Sequence, residues 1–273
     1  MTMALAPAID SYALGQVDVG DGHLPVAIAG GGPSVVLLHG WTLDHRMWQP
    51  QIAALGDHFR LIMPDRRGFG GSTAPPDLSR EAEDVIRIAD ALGLDRFALA
   101  GLSQGAAVSL DIAIRYPDRL DAVALAGTPL PGLVPDADPV PRDEFAAMVR
   151  SGALALMRRT WLAHPLMHVD SADARALLTR IVDDYDGRDL LAPSALPPFK
   201  HEAIAALPMP LCAIAGSDET PWRIACARLL AETAPNGRMV TISGAGHIAN
   251  VARPDAFNTA LIDFLGAYLP TSF

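Results

Sequence analysis

The apolar run Phe97-Ala98-Leu99-Ala100 ends in Gly101-Leu102-Ser103-Gln104-Gly105, and a helical pattern begins at once. No other stretch constrains the fold so tightly. G-x-S-x-G at a strand-to-helix turn demands a sharp reversal that lifts the Ser103 hydroxyl above the end of a sheet, and the flanking glycines remove side chains that would collide there. The start of the following helix brings backbone N–H groups and a positive dipole end beside the serine, where an oxyanion can be held. Elsewhere the same pentapeptide is an ordinary glycine-rich strand end, so its reading as a nucleophile turn rests on these surroundings.

The rest of the chain supplies such surroundings. Short apolar runs near 24–29, 34–38, 60–63, 97–101, 122–127, 211–216 and 238–242 read as strands. Periodic stretches near 79–92, 104–116, 222–234 and 255–268 read as helices, the last opened by Pro254. Alternation of this kind gives an α/β fold: a mostly parallel sheet covered by helices on both faces, with the earliest runs as an antiparallel edge.

Candidate partners for Ser103 lie past the ends of later strands, the rim where sites form in open α/β sheets. Asp218 follows the run Leu211–Gly216, and His247 follows Arg238–Ile242 across Ser243-Gly244-Ala245-Gly246. His247 is the expected base, since its proton affinity lies near neutrality, and Asp218 the expected acid that orients it. Glu219 is adjacent and would point elsewhere if Asp218 faces the site. The preceding strand, 122–127, runs into Thr128-Pro129 and offers no carboxylate before Asp136 and Asp138. For the oxyanion, the expected backbone donors are Gln104, next to the serine, and Trp41, after the buried run and turn Val35–Gly40. His39 is expected to brace that turn by hydrogen bonding.

With these residues in view, the chain resembles the α/β-hydrolase superfamily over nearly its whole length. The order Ser…Asp…His is the one that fold uses. Asp65-Arg66-Arg67-Gly68-Phe69-Gly70-Gly71-Ser72 is similar to the family's D-x-x-G-x-G-x-S loop, and Gly246-His247 through Pro254 is similar to the stretch around its catalytic histidine. His39-Gly40-Trp41 resembles small esterases and cofactor-free perhydrolases, and the segment from His247 to Pro254 looks like that of enol-lactone hydrolases. The resemblance implies an eight-stranded sheet and no cofactor or metal. Dehalogenases and epoxide hydrolases of this fold use an aspartate nucleophile, so Ser103 makes those activities unexpected.

Residues 130–206 interrupt the alternation. They are bounded by prolines at 129, 131, 135, 139 and 141 and at 193, 197 and 198, with helix-like patterns at 143–164 and 172–185. The reading is one domain, 1–273, with 130–206 as a helical cap inserted between strands six and seven. A cap would shape an apolar pocket over Ser103. Trp41, Leu130, Met157, Trp161 and Ile248 are the candidate lining, with Met148, Leu162 and Met167 as further cap residues in reach or in the helix-packing core.

Composition narrows the function classes. A net charge of −10 argues against nucleic acid and against an acidic membrane surface. No apolar run approaches the ~20 residues of a bilayer span, and the first residues make a poor signal peptide, so a cytoplasmic protein is expected. Cys212 and Cys226 read as reduced buried thiols, and no zinc or phosphate-loop motif is present. The expected activity is hydrolysis of a small-molecule ester or lactone through an acyl-enzyme, by a chain compatible with homo-oligomerisation. Peroxide at the second step would make it a perhydrolase, and the same residues would serve carbon–carbon bond hydrolysis. A slow-turnover small-molecule receptor is the reading from a different class.

Overall fold

The computed structural model describes residues 12–269 apart from 136, 138, 139, 193, 194 and 197. Asp136 and Asp138 therefore lie outside the described residues. Eight strands form one sheet: β1 (Ala13–Asp18), β2 (His23–Ala29), β3 (Ser34–Leu38), β4 (Arg60–Pro64), β5 (Phe97–Leu102), β6 (Leu120–Ala126), β7 (Leu211–Gly216) and β8 (Gly237–Ile242). Their spatial order is β1-β2-β4-β3-β5-β6-β7-β8. β2 runs antiparallel to both β1 and β4, whereas every pairing from β4 to β8 is parallel. The antiparallel edge is thus at the amino-terminal end. β1 carries no apolar run and is largely exposed, so it was invisible to hydrophobic patterning.

The helices are α1 (Gln49–Gly56), α2 (Glu81–Ala91), α3 (Gln104–Arg115), α4 (Arg142–Arg150), α5 (Leu154–Leu162), α6 (Ala172–Asp184), α7 (Arg188–Leu191), α8 (His201–Ala205), α9 (Pro221–Thr233), α10 (Ala249–Ala252) and α11 (Pro254–Leu265). Because successive strand side chains point to opposite faces, β3 feeds two cores at once. Val35 and Leu37 pack with Ile52 of α1 and with Phe257, Leu261 and Phe264 of α11. Val36 and Leu38 belong to a second core cluster with Val85 and Ile88 of α2, Val108 and Ile112 of α3, and Leu230 of α9. Burial on both faces explains why the central strands read as continuous apolar runs.

Between β6 and β7 the chain leaves the sheet and forms α4 to α8. Phe145, Met157, Trp161, Leu178, Ile181 and Leu190 from this segment belong to the same core cluster as α1 and α11. The helix-like stretch 143–164 is broken in two by Gly152, whose φ is +78°. Ala153 N–H donates to Met148 O at 2.8 Å and Gly152 N–H to Val149 O at 3.0 Å, the paired bonds of a Schellman stop.

Candidate active site

Ser103 sits between β5 and α3 with φ +55° and ψ −116°, a conformation that costs a non-glycine residue roughly 1–3 kcal/mol. Its N–H donates to Ala126 O at 2.7 Å, tying the turn to the end of β6. Gly105 allows the tight packing of α3 behind it. A Cβ there would lie 2.3 Å from Leu38 O and 2.4 Å from His39 O. Gln104 opens α3, so its N–H is among the first-turn donors that lack a partner within the helix.

His247 and Ser103 line one cavity of about 310 Å³, together with Gly40, Trp41 and Gln104. The His247 ring is buried, and its Nδ1 lies 2.5 Å from Glu219 Oε2. Gly127, at the end of β6 with φ +57°, makes room for the ring: a Cβ there would sit 2.7 Å from His247 Cε1. Glu219 Oε1 accepts the Thr220 N–H at 2.9 Å, just ahead of α9. Burial on its own would raise the Glu219 carboxyl. The charge and hydrogen bond of His247, the Thr220 N–H and Arg223 outweigh it and hold the group below its ordinary value.

The expectation of Asp218 as the acid partner is therefore corrected. Its carboxylate is exposed and accepts the Ser217 hydroxyl at 2.8 Å. The chain turns tightly after β7, with Glu219 N–H directed back to Gly216 O at 3.4 Å and Asp218 N–H bonded to Ala245 O at 2.9 Å. Asp218 occupies the outside of that turn, and the next residue is the one that faces inward.

On the other side of the serine, His39 is fully buried, and burial, reinforced by the Arg66 charge, pushes its pKa down to about 3. Its Nε2 accepts the Arg66 N–H at 2.9 Å, so Nδ1 carries the proton and donates to Gly40 O at 2.8 Å. Arg66 donates to His39 O at 2.8 Å, to Gln104 Oε1 at 2.9 Å and to both Glu81 oxygens. One buried guanidinium thus spans the two stretches that carry the Trp41 and Gln104 amides. Sequence reading assigned Arg66 only to a family-like loop, because its partners lie 15 to 38 residues away.

The cavity wall is mainly apolar, with Leu43, Leu102, Trp161, Met167, Trp222 and Ile248 among its residues. Trp41, Trp161 and Ile248 are where the sequence reading put them. Leu130 and Met157 are not: each is fully buried in a core cluster, and Pro129 and Pro131 present the surface beside Leu130. Met148 and Leu162 pack against the core, half-buried. Arg142 is a wall residue that no pattern announced. Its guanidinium lies 4.8 Å above the Trp41 ring, and it donates to Asp189 at 3.0 Å.

Among the described residues, Asp44, His45 and Asp65 form the one cluster with three groups close enough to share a metal ion. Their oxygens are already used. Asp44 takes a two-point contact from Arg46, and Asp65 accepts from His45 and from the Gly71 N–H at 2.9 Å. The cluster reads as the brace of the 65–72 loop. No helix among the described residues is long and apolar enough to cross a membrane.

Residues 33–254 match the alpha/beta hydrolase fold family. A protein of Agrobacterium fabrum named provisionally as carbamate hydrolase RutD is 29% identical over 85% of this chain and 93% of its own length. The pimeloyl-[acyl-carrier protein] methyl ester esterase of Pectobacterium carotovorum is 29% identical over 87% of this chain and 96% of its own. Among solved structures, the enol-lactonase of Burkholderia xenovorans superimposes with a TM-score of 0.77 at 28% identity, covering 92% of this chain and all of that one. An esterase from Thermogutta terrifontis gives a TM-score of 0.80 at 24% identity over 95% of this chain and all of its own, a likeness of fold.

Proposed function

Since the chain belongs to the alpha/beta hydrolase fold family, we propose that it is a serine hydrolase that cleaves a small carboxylic ester or lactone through an acyl-enzyme on Ser103. The observation that carries this reading is the buried His247–Glu219 contact at 2.5 Å on the wall of the cavity that Ser103 also lines. A serine hydroxyl is a weak nucleophile until a positioned base takes its proton. In this scheme Glu219 holds the His247 proton on Nδ1, which leaves Nε2 to accept one from Ser103.

The Ser103 oxygen then adds to the substrate carbonyl carbon, and the Trp41 and Gln104 amides bind the oxyanion. Collapse breaks the bond to the leaving oxygen, which takes the proton from His247. Water, deprotonated by His247, adds to the acyl carbon, and the second collapse returns the proton to Ser103 and frees the acid. Glu219 stabilises the imidazolium at each stage without being protonated itself. The activities named for the relatives, on a carbamate, a methyl ester and an enol-lactone, share a carbonyl carbon bearing a leaving group.

A cavity of about 310 Å³ is at the small end of the ~300–1,000 Å³ usual for ligand pockets, which favours a short acyl chain. The test is steady-state hydrolysis of p-nitrophenyl esters from acetate to octanoate, with a lactone and a carbamate followed by pH-stat. The expected result is an optimum at the short end and turnover of ~1–10³ per second on a good substrate. A few turnovers followed by a stalled adduct would instead mark a receptor.

A further inference from the structure

The loop carrying Trp41 is gripped from the segment between β6 and β7. Thr42, the next residue, is buried with φ +63°, a left-handed conformation that β-branched side chains rarely adopt. Its hydroxyl accepts the indole N–H of Trp161, on α5, at 2.7 Å. The Trp41 indole N–H donates to Asp189, on α7, at 2.8 Å. Asp189 is buried and also accepts from Arg142, on α4, and from the Tyr185 hydroxyl. The Arg142 guanidinium covers one face of the Trp41 ring, and the Trp161 ring meets it edge-on with centroids 4.8 Å apart.

We propose that α4, α5 and α7 hold the oxyanion-binding loop in its working shape, with Trp161 and Asp189 as positioning residues for the Trp41 amide. The proposal rests on the role given to that amide above. Two side-chain anchors fix the loop, one on the Trp41 indole and one on the Thr42 hydroxyl. A threonine released from its anchor favours negative φ, and a swing at Thr42 turns the Trp41–Thr42 peptide and, through the Trp41 Cα, shifts the Trp41 N–H. Oxyanion donors act only when held about 2.7–3.1 Å from the developing charge, so a small swing removes one. The segment over the pocket therefore acts on the chemical step as well as on substrate entry.

The test uses the full chain and the best p-nitrophenyl ester. Trp161→Phe keeps an aromatic ring and deletes the donor. Thr42→Val keeps the β-branch and deletes the acceptor, which covers the case of a poorly folding Trp161 variant. Each is expected to lower kcat by ~10–100-fold, somewhat less than the ~10²–10³ for outright loss of an oxyanion donor, with KM within ~3-fold. Affinity for an alkyl boronic acid should fall in step with kcat. Glycine adopts positive φ freely, so Trp161→Phe/Thr42→Gly should come within ~5-fold of Thr42→Gly alone. The proposal is overturned if both single variants keep kcat within ~3-fold, or if their losses are not relieved by glycine. Ser103→Ala is run in parallel: hydrolysis that survives it would sink the functional reading itself, a result distinct from failure of the positioning role.

Discussion

Replacing Glu219 by Gln should disable His247 for a reason that can be worked out atom by atom. Oε1 of Glu219 accepts the Thr220 N–H, and Oε2 lies against His247 Nδ1 at 2.5 Å. In the variant the Gln oxygen stays on Thr220, because an amide NH₂ cannot accept that donor. The NH₂ then faces Nδ1 and donates to it. The ring proton moves to Nε2, the nitrogen that must be vacant to accept a proton from Ser103. Loss of the carboxylate also removes the charge that stabilises imidazolium, in a pair whose side chains are only 3% and 2% exposed, where water screens little. A wrong tautomer in this arrangement costs up to about 10⁴ in kcat. We expect a loss of ~10³–10⁴, about 4–5.5 kcal/mol of transition-state stabilisation at 1.36 kcal/mol per decade. The assay is kcat/KM on the best p-nitrophenyl ester, with Asp218→Asn as the comparison. Asp218, exposed and bonded to Ser217, should stay within ~2-fold of the parent. Full activity in Glu219→Gln, or a collapse confined to Asp218→Asn, would refute the assignment.

Three further outcomes follow from the same geometry. Gly127→Ala puts a Cβ 2.7 Å from His247 Cε1 at a φ of +57°, so it should lower kcat at least ~10-fold and destabilise the fold by more than about 1 kcal/mol, read by ester hydrolysis and urea denaturation. The folded-state pKa of Glu219 is depressed below its ordinary 4.5, so its stabilisation is complete above that value and is lost as pH falls through the folded pKa; Glu219→Gln should flatten the acid limb of a plot of urea midpoint against pH. For His45, burial opposes protonation, but the Asp65 hydrogen bond and charge, with Asp44, raise the folded pKa above 6.5. Its stabilisation is then complete below 6.5 and lost as pH rises through the folded value, so His45→Ala should remove part of the alkaline fall in urea midpoint.

What could be read from the sequence is what local chemistry dictates. β5 is buried on both faces and carries Gly101 one residue before its end, so its run and its turn at Ser103 stand out in a single window. β1 could not be found that way, because an exposed edge strand takes its order from pairing with β2 and carries no apolar signature. The carboxylate that contacts His247 lies one residue beyond the expected Asp218. Choosing between Asp218 and Glu219 depends on how the turn from Gly216 to Glu219 is wound, and that is set by the Asp218 N–H bond to Ala245, 27 residues further on. Asp189 was beyond reach, since its link to Trp41 spans 148 residues and no spacing rule connects an isolated aspartate to a distant indole. Leu130 and Met157 were misassigned because an apolar residue near a pocket and one beneath its wall look alike in sequence.

The most direct test of the account is covalent: treat the protein with a fluorophosphonate, weigh the intact adduct, and map the modified peptide while following ester hydrolysis. The account requires one adduct per chain, on Ser103, with activity lost in proportion to labelling and neither event seen in Ser103→Ala. Activity that persists in fully labelled protein, or an adduct on another residue that tracks inactivation, would contradict it.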